Sequence, residues 1–216
     1  MFIGHYALGF ASAKIKKSPS LATMLMAVVF LDLLWPVFVL CGIETFRIDI
    51  GNTKITPLNF ESYPYSHSLL MALVWGLVFG LIYFLITKNK SGAFLLVGLV
   101  FSHWILDFIT HRPDLPIFPW DDFKVGLGLW NYPVAESIIE IGMFIAGVFL
   151  YFNSAKHKRR IVVWALVITF LVVHLANLLG PPPPSKNAVT WSANLVWLCI
   201  LWAWWAEKKT EVNEGG

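Results

Sequence analysis

Charge is what this 216-residue chain has least of. Asp, Glu, Lys and Arg make up 13% of it, about half the ~25% of an ordinary soluble domain. Too little charge is present to solvate a globular surface. With 57% hydrophobic residues, 17 Phe and 11 Trp, the chain reads as a polytopic membrane protein. Cysteine is also scarce: Cys41 and Cys199 both fall in apolar runs without metal-type spacing and read as small buried hydrophobes. The formal charge of +3 belongs to topology, and no nucleic-acid partner is expected. A cleavable signal peptide is not expected, because the positive charges of MFIGHYALGFASAKIKK follow its apolar part. There is no internal repeat.

A helix needs about 20 mostly apolar residues to cross a bilayer. Six stretches qualify: Leu21–Cys41, Ser66–Thr87, Gly92–His111, Val134–Phe152, Ile161–Leu179 and Ala188–Ala206. Met1–Ala13 is too short to cross and is expected as a re-entrant or interfacial helix. Ser18-Pro19-Ser20 marks the start of the first span, and a kink is expected at Trp35-Pro36. The segment RIDIGNTKITPL carries a weak hairpin signal around Gly51-Asn52. Residues 1–206 are expected to form one transmembrane helical domain, with 207–216 a disordered cytoplasmic tail. The loops at 14–17, 88–90, 156–160 and 208–209 hold 11 basic residues against five in the alternate loops. The positive-inside rule then places both termini in the cytoplasm, in a multi-pass membrane protein.

The ionisable residues of the spans are few and one-sided. Asp32, Asp107, Glu136 and Glu140 are carboxylates, and the spans contain no Lys or Arg to pair with them. Together with His67, His103, His111 and His174 they fall between the midplane and the outer ends. A lone ionised carboxylate in hydrocarbon costs about 2.5–3.5 kcal/mol, so protonation or a cation must offset it. His103, Asp107 and His111 follow at i, i+4 and i+8. At ~40° per four-residue step they share one helix face, and Pro113 stops that helix near Arg112. An H-x-x-x-D pair on one face suits two ligands of one divalent ion such as Zn²⁺. His67, His103, Asp107 and Asp32 are the first candidate ligands. Glu136 and Glu140, also one turn apart, are candidates for a general base or a further ligand. His174, Asn177 and Asn194 read equally well as interhelical hydrogen-bonding groups. His157 lies in the basic loop and is set aside.

These residues resemble a known family. GHYALG around His5, the acid of LDLLWP, SHSLL around His67 and SHWILD of His103–Asp107 are together similar to the YdjM-type membrane-bound metal-dependent hydrolases, also described as inner-membrane-associated hydrolases. The resemblance covers about residues 1–115. It implies that His5 joins the ligands, at ~13 Å above the Lys14 loop and near the depth of Asp32. Much of the family shows a P-D-x-D signature where this chain has Leu31-Asp32-Leu33-Leu34, so one acid is missing and the ion count stands at one or two. The H-x-x-x-D element also resembles one in zinc-dependent phospholipases C, which implies a phosphoester substrate. His111 would then be a ligand, a proton donor or an interfacial residue, and Arg112 would hold a phosphate; with Asp114 they read as the rim where a substrate enters, or, for His111 and Asp114, as polar residues of the headgroup layer.

The expected fold is therefore all-α: about six transmembrane helices and a short N-terminal helix. The expected function is metal-dependent hydrolysis of a phosphorylated, lipid or lipid-linked substrate in the outer half of the bilayer. A transporter of metal ions or protons is the first alternative, although no ionisable residue continues a path through the cytoplasmic half. A non-catalytic membrane scaffold is the second.

Overall fold

The computed structural model describes residues 1–154 and 160–211. Residues 155–159, most of the basic loop and including His157, and residues 212–216 of the expected tail lie outside the described residues. The chain is a bundle of α-helices. A short helix α1 (Ile3–Ser12) precedes α2 (Leu21–Val28) and α3 (Phe30–Leu40). Strands β1 (Thr45–Ile48) and β2 (Leu58–Ser62) form an antiparallel hairpin, with Phe46 opposite Phe60. A one-turn helix α4 (Pro64–His67) leads into the long helices α5 (Leu69–Thr87) and α6 (Lys90–Thr110). The loop beyond α6 pairs β3 (Leu115–Pro116) with β4 (Lys124–Val125). Then follow α7 (Pro133–Ser154), α8 (Arg160–Leu179) and α9 (Lys186–Asn194), which runs on into α10 (Val196–Glu211). Helices α5, α6, α7, α8 and the α9–α10 rod are long and apolar enough to cross a membrane, and α2 with α3 makes a sixth, bent span. The chain is a multi-pass helical membrane protein.

Caps set the helix starts. Ser20, Ser68 and Asn89 accept the Thr23, Met71 and Gly92 N–H groups at the beginnings of α2, α5 and α6. The outward faces carry rows such as Leu73, Leu77, Leu81 and Leu85 of α5, all exposed, as a lipid contact requires.

Four sequence expectations are corrected or sharpened. The first span breaks by 57° between α2 and α3, at Val29 (φ −115°, ψ 18°), whereas the kink was expected at Pro36. Pro36 lies inside α3, where the neighbouring Trp35 packs against Phe46 and Phe60 of the hairpin. His67 is outside the second span: it ends α4, and Ser68 is extended before α5 begins. The last helix runs to Glu211, five residues into the expected tail. Glu207 accepts the Leu21 and Ala22 N–H groups at the start of α2, where the helix dipole favours an anion. Finally, α1 is packed inside the bundle, not spread on its surface. Ile3, Tyr6 and Phe10 are fully buried; Tyr6 stacks on Phe170, and Phe10 meets Phe144 and Tyr151. Gly147 of α7 permits this approach, since a Cβ there would lie 2.9 Å from the Ala7 carbonyl carbon.

Candidate metal centre

The site forms where α1, the α2–α3 break, α4 and the end of α6 meet, and Asp107 is its hub. Its Oδ2 lies 3.1 Å from His103 Nε2, 3.8 Å from His67 Nε2 and 4.0 Å from His111 Nε2. Its Oδ1 lies 3.1 Å from His5 Nε2 and 3.1 Å from the Met1 amino nitrogen. Asp32, in the first turn of α3, places Oδ1 3.5 Å from His67 Nε2 and 3.7 Å from His103 Nε2. Two groups of three therefore have ligand atoms close enough to hold a metal ion: His5, His103 and Asp107, and Asp32, His67 and His103. The expected ligands His5, Asp32, His67, His103 and Asp107 all come together.

The helix break explains the orientation of His103. Carbonyls in the last turn of a helix lack intrahelical partners. The Val28 carbonyl, last in α2, instead accepts from His103 Nδ1 at 2.8 Å. A carbonyl only accepts, so the Nδ1 proton is fixed and a neutral His103 carries its lone pair on Nε2. That nitrogen is fully buried and has no hydrogen-bond partner among the described residues. It faces carboxylate oxygens, lone pair against lone pair, and a cation between them resolves the repulsion. Protonating both His5 and His103 is a poor alternative, because the rings stack in parallel with centroids 3.8 Å apart and two imidazoliums would repel face to face. The orphaned nitrogen and the mixed imidazole–carboxylate donor set fit a divalent ion.

His111 is buried. Its Nδ1 lies 3.0 Å from Asp114 Oδ1 and 3.3 Å from the Tyr63 hydroxyl, which donates to the same Asp114 oxygen. Trp130 covers the ring, with centroids 4.2 Å apart. This leaves Nε2 pointing towards Asp107. Asp114, expected with Arg112 at the rim, is buried instead. Arg112 Nε donates to Asp114 and its Nη2 to Asn59 of β2, so the guanidinium ties the hairpin to the site.

Burial pushes the Asp114 carboxyl up, but the hydrogen bond and charge of His111, then Tyr63 and Arg112, outweigh it and hold the carboxyl below the usual carboxylate range. A lowered pKa stabilises the fold above the unfolded value of ~3.9 and is lost as pH falls through the folded value. The gap in melting temperature between wild type and Asp114→Asn should therefore be constant from pH 8 to 5 and close only below pH ~4. A gap that closes near pH 6 would mean that Asp114 does not titrate in this way.

Glu136 and Glu140 are buried on α7, and their side chains face each other. Glu140 Oε1 accepts the N–H groups of Phe2 and Gly4 at the start of α1. It anchors that helix. Glu136 Oε2 and His174 Nε2 are buried without a hydrogen-bond partner among the described residues. Asn194 donates to the Thr190 carbonyl within its own helix, and Asn177 is exposed.

The family described as YdjM inner membrane protein matches residues 1–180. The chain belongs to the YdjM inner membrane protein family. The match takes in every residue of the His/Asp cluster, and Asp114, Glu136, Glu140 and His174 as well. It stops before the α9–α10 rod, which contributes none of them. No curated protein and no solved structure matches the chain.

Three groups at the site carried no signal in the sequence. Glu44 lies in a polar connection, Ser66 reads as a helix-start residue, and the Val28 carbonyl has no side-chain signature. Tyr63, beside the SHSLL motif, is legible only as an aromatic next to a proline.

Proposed function

We propose that this YdjM-family protein is a membrane-embedded, metal-dependent hydrolase acting on a phosphoester, lipid or lipid-linked, in the outer half of the inner membrane. The observation that carries the proposal is the buried, unpartnered Nε2 of His103 facing Asp32 and Asp107. His67, His103, Asp32 and Asp107 are the ligands, and the N/O donor set suits Zn²⁺. Both groups of three use His103, which has one nitrogen to offer because Val28 engages the other. One ion is therefore proposed, with His5 as an alternative ligand on the Oδ1 side of Asp107. Such an ion activates a water and polarises a phosphoryl oxygen.

The protein supplies the rest. The Asp32 side chain is 41% exposed while the four imidazoles and Asp107 are buried, so the substrate arrives past Asp32. His111, held at Nδ1 by Asp114, is placed to give a proton to the leaving oxygen. Glu136 retains a free carboxylate oxygen and is proposed as the base; Glu140 serves α1. Arg112 is committed to Asp114 and Asn59 and acts by positioning. The excess of Lys and Arg in alternate loops supports cytoplasmic termini.

The test is metal analysis of the purified protein, with hydrolysis of a generic phosphodiester and a phospholipid. About one equivalent of metal is expected, with loss of both metal and hydrolysis in His103→Ala. Metal content unchanged by His103→Ala would overturn the assignment.

A further inference from the structure

Glu44 lies just before β1 and is 1% exposed, an unusual state for a glutamate outside the apolar spans. Among the described residues it forms no ion pair. Its Oε1 accepts the backbone N–H groups of Tyr65 and Ser66 at 2.9 and 2.8 Å. Its Oε2 accepts the Ser66 hydroxyl at 2.6 Å, a short charge-assisted bond. Ser66 Oγ in turn lies 2.7 Å from His67 Nδ1.

A hydroxyl has one proton to donate. Ser66 gives it to Glu44, so its contact with His67 must run the other way, from Nδ1–H to Oγ. The lone pair of His67 then falls on Nε2, the nitrogen that faces Asp32 and Asp107. We propose that Glu44 is a positioning residue: through Ser66 it fixes the His67 tautomer that leaves Nε2 free to bind a cation. The inference rests on the proposal that His67 is a ligand. It pairs with the other imidazole, since Val28 fixes His103 in the same tautomer. Such outer partners typically carry 10–100-fold in metal affinity.

Glu44→Gln separates this role from bulk structure. Two backbone N–H groups hold the Oε1 position, so the variant's carbonyl oxygen must stay there. Its amide then faces Ser66 Oγ and can only donate. The hydroxyl is left to donate to His67 Nδ1 at 2.7 Å, in preference to the Tyr63 carbonyl at 3.5 Å, and the His67 proton moves to Nε2, pointing at the carboxylates. Burial pushes the Glu44 carboxyl above the usual glutamate range, ahead of the lowering by Ser66. An ionised group is held there at a cost, and the neutral amide does not add to it.

The experiment uses full-length, metal-free protein labelled with ¹⁵N-histidine, with His67 assigned by a His67→Gln variant. The ¹⁵N shifts report the tautomer, and competition with a chelator reports Zn²⁺ affinity. Wild type should show His67 protonated at Nδ1. Glu44→Gln should show it protonated at Nε2 and bind Zn²⁺ about 10–100-fold more weakly. Ser66→Ala should lose the tautomer preference with Glu44 intact. The inference is overturned if wild-type His67 is protonated at Nε2, or if Glu44→Gln keeps both tautomer and affinity. Wild type that shows the expected tautomer but binds no Zn²⁺ would sink the metal proposal and leave the relay standing.

Discussion

Asp107→Ala should empty the site. Its two oxygens meet His5, His67, His103 and His111, whereas Asp32 meets only His67 and His103 among the described residues. Removing one partner from a buried charged cluster costs about 3–5 kcal/mol. Loss of a ligand should also exceed the 10–100-fold typical of an outer partner, so Zn²⁺ affinity should fall by at least ~100-fold. Asp107→Asn separates charge from shape: it keeps the volume and a carbonyl oxygen but leaves the imidazoles without their anion, and it should bind nearly as poorly as the alanine variant. Asp32→Ala removes the partly exposed carboxylate and should weaken binding less, since Asp107 remains. Chelator competition on the three variants measures this order. Equal losses for Asp107→Ala and Asp32→Ala would mean that Asp107 is not the hub.

The second large effect is expected from a glycine. Gly147 sits beneath α1, where a Cβ would lie 2.9 Å from both the carbonyl carbon and the Cα of Ala7. Backbone cannot swing aside as a side-chain end can, so Gly147→Ala must push α1 away from α7. Overpacking of this kind costs about 1–3 kcal/mol. The displaced helix carries His5 and loses register with Glu140, which caps it. Gly147→Ala should lower the melting temperature and reduce bound metal together. Gly142 provides the control on the same helix, because nothing lies within 4 Å of a Cβ there, and Gly142→Ala should leave both readings unchanged. If the two variants behave alike, α1 is not packed as described.

Much of the site was legible because helix geometry is local. His103 and Asp107 share a face by their spacing alone, and the unpaired carboxylate at Asp32 is costly wherever the helices run. The rest depends on contacts between distant segments. The bend falls at Val29 and not at Pro36; the Val28 carbonyl it frees meets His103 from 75 residues away, whereas Pro36 is absorbed inside α3. The i, i+4 spacing of Glu136 and Glu140 gave their common face but not their neighbour, which is the start of α1. Asp114 looked like a headgroup-layer residue because its His111, Tyr63 and Arg112 partners cannot be counted along a sequence. Glu44 was invisible for the same reason: in a polar connection it resembles every other solvated glutamate. The six-span bundle was plain from apolar runs, but the enclosure of α1 rests on Gly147 and on aromatic contacts with α7 and α8.

The central claim is that imidazole and carboxylate side chains hold one divalent ion inside the bundle. X-ray absorption at the zinc edge on protein loaded with one equivalent of Zn²⁺ tests it most directly. The expected spectrum shows a shell of nitrogen and oxygen only, at ~2.0–2.2 Å, with the outer scattering of at least two imidazoles, and loses that imidazole signal in His103→Ala. Failure to retain the metal, or a shell without imidazole scattering, would contradict the account.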